Sequence, residues 1–385
     1  MNGQFVLRRE SKMGIKVLEC KEEKNRFSIV VEPKDIFYVD GKGGQLGDRG
    51  TIGNSDVLEV LEDKIYVNRR LEVGEHEYTI DEARRKDIAQ QHTAQHTFSA
   101  VAFNDYDYNT VGFRMSDDYT TVDLDSNDLT DEIINKIEKK VNDIINSGID
   151  IKIYTLNHDE AMEKTGLRKP IKEKITGDVR FVEIPHIDLG ACAGFHVGNT
   201  REMRLFKIIN YERVKGGYTR FYFIAGDRAL KDYSYKHLMS RDLCHMFSCK
   251  ESQILDMVDK MNEAKLELEN EMKSLAFEYS ELLSKKLLAE AVKIGDHRVV
   301  LYSGNKLVGE DLHKNISDGD VILITNHGEN YSVASQSVDC KGLIGYIMKN
   351  ESGIKGGGSK VRGNFKGVIS QDRLKECVEG YIKSI

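Results

Sequence analysis

Two pairs of potential metal ligands, each spaced four residues apart, constrain this chain more than any other feature. The first is His92-Thr93-Ala94-Gln95-His96 and the second is Cys192-Ala193-Gly194-Phe195-His196. Residues four apart on a helix share one face, with Cβ atoms about 5–6 Å apart, so His92 and His96 can converge on one point. The spacing of Cys192 and His196 runs through a glycine, and a tight turn would bring those two together in the same way. Three imidazoles and one thiolate make a tetrahedral set suited to zinc. Soft sulfur beside nitrogen argues against magnesium or calcium, which take oxygen. The His pair lacks a glutamate after its first histidine, so it is not the H-E-x-x-H metalloprotease pattern. On spacing alone, an ordinary helix surface is as good a reading as a metal site.

The chain has 385 residues, enough for two or three domains. With 40% hydrophobic and 31% charged residues it has an ordinary globular composition. No apolar run approaches the roughly 18 residues needed to span a bilayer, and Met1 to Glu10 lack the apolar core of a signal peptide. The six cysteines are irregularly spaced, which suggests no disulfide framework. A cytoplasmic location is the expectation. A net charge of −7 argues against indiscriminate electrostatic binding of nucleic acid, although a local basic patch would still serve.

Taken in order, Phe27–Val31 and Val57–Leu61 have strand lengths and strand patterns. Between them, Ile36 to Gly50 holds a glycine-rich stretch whose turns let backbone approach a ligand closely. No Gly-Lys-Ser/Thr closes it, so it is not a phosphate loop. A helix is predicted from about Ile80 to Phe103, carrying both histidines. A second is predicted from Asp131 to Ile145, with Thr130 as its cap and Ile133, Ile134, Ile137, Val141, Ile144 and Ile145 as its apolar stripe. Ile149–Tyr154 and Val179–Ile184 read as strands, and Phe221–Ala225 closes this body. Cys244, His245 and Cys249 lack a matching second pair and read as structural.

Ile254, Val258, Met261, Lys265, Leu268, Met272, Leu275, Tyr279 and Leu282 follow steps of four and three, a heptad seam broken at Lys265. Such breaks suit a helical arm or an antiparallel hairpin better than a long parallel dimer. Residues beyond 290 read as α/β. From Lys341 to Lys366 six Lys/Arg face one acid, Glu351, around Lys355-Gly356-Gly357-Gly358-Ser359-Lys360-Val361-Arg362. That local excess suits a phosphate backbone, with loop amides able to bind anions.

His-Thr-Ala-Gln-His followed by Thr97-Phe98-Ser99-Ala100, with a distant Cys-x-x-x-His, resembles the editing domain of alanyl-tRNA synthetases and its free-standing AlaX relatives. Phe113 to Asp125, Val197 to Glu202 and Gly226 to Leu230 fit the same pattern. Phe37-Tyr38 with Gly43-Gly44-Gln45 and Gly47-Asp48 resembles the glycine-rich motif of the N-terminal barrel in long AlaX proteins. Lys42 departs from the usual three consecutive glycines there. The Gly356–Gly358 stretch resembles the DHHA1 domain that ends those proteins.

The resemblance implies an α+β chain with four parts. Residues 1–85 would form a small β-barrel with the glycine-rich motif, and 86–240 the zinc-binding editing domain. Residues 241–290 would form a helical coiled-coil arm, and 291–385 a DHHA1-like α/β domain for tRNA binding and dimerisation. It implies Zn2+ held by His92, His96, Cys192 and His196. Gly43, Gly44, Gln45 and Thr93 would position the substrate, and Lys355, Gly356, Gly357, Gly358, Lys360 and Arg362 would contact tRNA. No general base is evident. His186 and Asp188 are near in sequence and read as structural. Because no aminoacylation stretch precedes the barrel, the expected action is in trans: zinc-dependent deacylation of mischarged tRNA(Ala), with serine first and glycine second, by a homodimer without membrane attachment. Phe195 stands where relatives carry Thr between Cys and His, and could reshape the pocket. It therefore supports two alternatives, a catalytically silent zinc-containing tRNA-binding protein and a same-fold hydrolase for another aminoacyl-tRNA.

Overall fold

The computed structural model describes residues 13–171, 176–316 and 319–385. The start of the predicted barrel, residues 1–12, lies outside them. The chain divides into two compact units, Met1–Asp242 and Leu243–Ile385.

The first unit opens with β1 (Met13–Glu23), β2 (Arg26–Glu32), β3 (Gly50–Ile52), β4 (Ser55–Val60), β5 (Ile65–Val67) and β6 (Gly74–Ile80). They form a closed barrel in the order β1-β2-β5-β4-β3-β6, and β6 returns antiparallel to β1. Closure leaves no strand edge open. Ile15, Val17, Ile29, Val57 and Val67 fill the interior. They come from alternating positions, as a one-sided sheet requires.

α1 (Glu82–Tyr106) follows, started by Asp81, whose carboxylate accepts from the Arg84 N–H. It is an unusual helix because Ile88 to Ala102 are buried without a break. The polar residues in that run are satisfied one by one. Gln91 bonds both the carbonyl and the N–H of Ala225, Gln90 donates to the Glu202 carbonyl, and Thr97 donates to the Thr93 carbonyl. An unpaired buried amide would cost about 1–3 kcal/mol, so these partners are what allow a polar helix to be central.

β7 (Thr110–Met115), β8 (Thr120–Leu124), α2 (Asp131–Ser147), β9 (Lys152–Leu156), α3 (His158–Met162), β10 (Val179–Ile184), β11 (Asp188–Ala191), β12 (Phe206–Val214), β13 (Tyr218–Ala225) and α4 (Gly226–Phe247) complete the unit. Thr130 caps α2 as predicted, and Ile134, Ile137, Val141, Ile144 and Ile145 are its buried stripe. At about 1.5–3 kcal/mol per aliphatic side chain, that stripe supplies on the order of 10 kcal/mol of burial. It packs with Phe98, Phe206, Phe221 and Phe223 between α1 and the sheet β12-β13-β8-β7. A second sheet runs β11-β10-β9. The strand predicted over Ile149–Tyr154 starts later, at Lys152. Ile149 and Ile151 instead bond the 198–200 segment, which takes their N–H groups out of the ladder.

The second unit holds α5 (Ile254–Ala289), β14 (Val292–Ile294), β15 (His297–Ser303), α6 (Lys306–Asn315), β16 (Val321–His327), β17 (Asn330–Ser335), α7 (Cys340–Asn350), β18 (Lys355–Gly358), β19 (Arg362–Lys366) and α8 (Gln371–Ile382). The sheet order is β14-β15-β16-β17-β19-β18, with β15 and β16 parallel across α6. α5 is one continuous helix rather than a hairpin. Its buried positions are the small Ala276, Ser280 and Ser284, against α6, whereas the seam residues Leu268, Met272, Leu275, Tyr279 and Leu282 are exposed. Small residues let two helices approach closely, so they took the intramolecular contact and left the larger ones outward.

Candidate metal centre

His92, His96, Cys192 and His196 come together, with their ligand atoms all within 4.8 Å of one another. His92 and His96 project from the buried middle of α1. Cys192 follows β11, and its backbone N–H is held by the Arg180 carbonyl of β10. Cys192 Sγ lies 3.5 Å from His92 Nε2 and 3.4 Å from His196 Nε2. Donors with 2.0–2.3 Å bonds to one tetrahedral ion stand about 3.5 Å apart, so the set is spaced for a metal.

A second observation makes the fit specific. Every imidazole has its Nδ1 engaged: His92 with Gln45 Oε1 at 2.8 Å, His96 with Asp188 Oδ2 at 2.9 Å, and His196 with Thr93 Oγ1 at 3.2 Å. Fixing Nδ1–H leaves the Nε2 lone pair for an ion, which is how metal-bound histidines are held. Asp188 is in turn clasped by Arg168, whose Nε lies 2.7 Å from Oδ1. Asp188 thus has a structural role, as the sequence reading favoured, but that role serves the metal ligands.

Burial alone would raise the Asp188 carboxyl, but bonding to His96 and Arg168 outweighs it and holds the group at about 2. Burial likewise opposes charge on His96, yet Asp188 and Cys192 lift it to about 9. Burial presses His196 down to about 3. The Cys192 thiol is held well below its ordinary value, because His92 and His196 outweigh burial. At neutral pH the metal-free cluster therefore pairs a thiolate with a protonated His96. Metal uptake at pH 7 is expected to release about one proton per ion. Calorimetry of the metal titration in buffers of different ionisation enthalpy measures that number, and no buffer dependence would refute the assignment.

The glycine-rich loop of the barrel lies against this cluster. Arg85 on α1 anchors it through Asp48 at 2.6 Å, and the Asp48 side chain is fully buried. Gln45 Oε1 accepts from both His92 Nδ1–H and the Phe195 N–H, the latter at 2.9 Å. The Phe195 N–H can only donate, so it fixes which end of the amide is oxygen. Gln45 Nε2 then remains buried without a partner among the described residues. Gly43 and Gly44 have φ of 65° and 79°, and a Cβ on Gly44 would stand 2.6 Å from the Phe113 ring, which itself stacks on His92. Gly194 must also be glycine, because a Cβ there would lie 2.2 Å from the His92 ring.

Two residues differ from expectation. The Thr93 hydroxyl, expected to meet substrate, donates to the Ala89 carbonyl and accepts from His196 Nδ1–H and the Val197 N–H. Its one donor and two acceptor sites are filled, so it orients His196 instead. The ring of Phe195 packs on Tyr38 at 4.8 Å and beneath the Arg85 guanidinium. It braces the ligand loop against the barrel and so loses its force as an argument for a silent protein. Asp188, Arg168 and Arg180 carried no spacing signal of their own.

In the second unit, Lys355 and Arg362 line a cleft of about 850 Å3 together with Lys306, Lys366, Asn326 and His327. Gly356 to Gly358 form the exposed edge strand β18. Lys360 is exposed but not part of the cleft. Cys244, His245 and Cys249 form no metal cluster among the described residues. No helix among them is long and apolar enough to cross a membrane.

Residues 179–222, from β10 into β13 and including two of the four ligands, match the family model described as the threonyl and alanyl tRNA synthetase second additional domain. The chain is 29% identical to the alanyl-tRNA editing protein AlaX-L of Pyrococcus horikoshii over 89% of each chain. It is 28% identical to Aarsd1 of Danio rerio, an alanyl-tRNA editing protein, over 69% of this chain and 65% of that one. It is 30% identical to the alanine–tRNA ligase of Thermosynechococcus vestitus over 89% of this chain but only 42% of the ligase.

Proposed function

Since the chain is a long-form AlaX-like editing protein, we propose that it is a trans-acting aminoacyl-tRNA deacylase that hydrolyses mischarged tRNA(Ala), serine first and glycine second. The observation that carries this reading is the four-ligand cluster with the unpaired, buried Gln45 Nε2 beside it. The match to AlaX-L over 89% of both chains supports action as an editing protein, and we place that action in the cytoplasm.

His92, His96, Cys192 and His196 would hold Zn2+, as their sulfur and nitrogen donors favour. When bound, such an ion supplies polarisation of an ester carbonyl or a water of lowered pKa. The residues around it do the rest. Asp188, Thr93 and Gln45 Oε1 hold the three imidazoles in one tautomer. Gly44 keeps a side chain out of the space over Phe113, and Gly43 beside it supplies the left-handed turn. Gln45 Nε2 offers a donor to the seryl hydroxyl or the ester carbonyl. A site with an unpaired polar group rejects an alanyl side chain, which cannot fill it.

We place tRNA contacts on Lys355, Gly356, Gly357, Gly358, Lys360 and Arg362. No carboxylate pairs with Lys355, Arg362 or Lys366 among the described residues, which supports that reading. We place a homodimer contact in the C-terminal domain, and the exposed apolar row Leu268, Met272, Leu275, Tyr279 and Leu282 of the same unit supports association there.

The test is release of amino acid from Ser-tRNA(Ala), Gly-tRNA(Ala) and Ala-tRNA(Ala) by the full-length, zinc-loaded protein. Serine should leave fastest and alanine should be spared. Gln45→Ala should cut serine release by about 10- to 100-fold and narrow the preference over alanine. Equal release of all three, or none, would overturn the reading.

A further inference from the structure

Arg180 is the unexplained cation of the metal centre. It lies in β10 on the same face as the core residues Val182 and Ile184, at the end of that row. Its Nη1 donates to the carbonyls of Cys192 at 2.7 Å and Gly194 at 2.9 Å. Among the described residues the guanidinium bonds only through Nη1, and no carboxylate pairs with it. The other arginines of this region are claimed: Arg85 by Asp48 and Arg168 by Asp188.

Half-buried charge without a counter-ion is costly. Its hydrogen-bond partners among the described residues are the two carbonyls of the ligand loop. A guanidinium with one free edge is built to take an oxyanion with two donors.

We propose that the free Nε/Nη2 edge of Arg180 binds the phosphodiester on the 5′ side of the terminal nucleoside of the charged tRNA. This rests on the deacylase reading. The esterified ribose must sit at the metal centre, and the nearest anion such a substrate brings is that phosphate. Arg180 then does two things with one group: Nη1 holds the ligand loop, and the opposite edge registers the substrate's 3′ end against it.

The test uses binding, so that it does not depend on hydrolysis. The probes are 3′-deoxy-3′-serylamido-adenosine, which cannot be hydrolysed at the ester position, and its 5′-monophosphate. Both are titrated into full-length, zinc-loaded protein. Wild type should bind the phosphorylated probe at least about tenfold more tightly, as charge-assisted hydrogen bonds do. Arg180→Gln should erase most of that preference, and Arg180→Lys, which keeps charge but loses the fork, should retain part of it. Zinc content is measured on each variant to monitor the ligand loop. Equal binding of the two probes by wild type, or equal weakening of both in Arg180→Gln, would show that Arg180 only braces the loop. If the phosphate preference holds but no charged tRNA is hydrolysed, the deacylase reading fails and the anion site stands.

Discussion

Replacing Cys192 with alanine is expected to remove the metal and lower deacylation on the order of 10^3-fold. The thiolate is the only anionic donor in the cluster, and it stands 3.4–3.5 Å from the Nε2 atoms of His92 and His196. Without it, three neutral imidazoles must hold a divalent ion in a buried site with no anionic donor in direct contact. An ion polarising a carbonyl contributes several kcal/mol to the transition state, and 1.36 kcal/mol is tenfold in rate. The fold should survive, because Cys192 is only partly buried and packs against the core from a loop rather than forming part of it. Metal per chain by elemental analysis and serine release from Ser-tRNA(Ala) are measured on the same sample. A variant that keeps its metal, or that loses it without losing rate, would separate the ion from the chemistry and sink this mechanism.

Asp188→Asn should have the largest effect on stability, about 3–5 kcal/mol in the metal-free protein. The Asp188 side chain is wholly buried, and its partners His96 and Arg168 are only 8% and 11% exposed, so solvent screens the pair little. Removing one partner of a buried pair strands the other charge in the interior. The dependence on pH follows from the two displaced groups. Asp188 is held at about 2, below its ordinary value, so its contribution is present above about pH 4 and is lost as pH falls toward 2. His96 is lifted to about 9, so its contribution is present below about pH 6.5 and is lost as pH rises toward 9. Denaturant midpoints of metal-free protein should therefore peak between about pH 4 and 6.5 and decline on both sides. Asp188→Asn should flatten that profile. Metal affinity, measured by chelator competition, should also fall about 10- to 100-fold as the His96 tautomer is released. An unchanged pH profile would show that the pair does not carry the stability assigned to it.

Different parts of the molecule were legible to different degrees, for identifiable reasons. α2 could be read completely, cap and stripe, because one face is buried and the other wet, which imprints a period on the sequence. α1 could be located only through its histidines. It is buried on every side, so no period separates inside from outside. The heptad row on α5 was real as a pattern, but the intramolecular contact went to Ala276, Ser280 and Ser284. A seam in the sequence states which residues can pack together, not which neighbour reaches them first. Phe195 could be recognised as an odd residue between two ligands, but not that its ring turns to Tyr38 and Arg85.

Beyond the family resemblance, the sequence by itself marked the two donor pairs and their spacing, two of the barrel strands, the cap and stripe of α2 and the basic glycine-rich stretch. These depend on local spacing and residue chemistry, which a chain carries along its length. Only the tertiary structure decided what surrounds the donors. Gln45, Thr93, Asp188 and Arg168 act through hydrogen bonds, and all except Arg168 bond a ligand imidazole directly. Gln45 is 47 residues from His92, Asp188 is 92 from His96 and Thr93 is 103 from His196. No spacing rule reaches across such distances, because which groups meet depends on how the barrel, the central helix and the sheet close on one another.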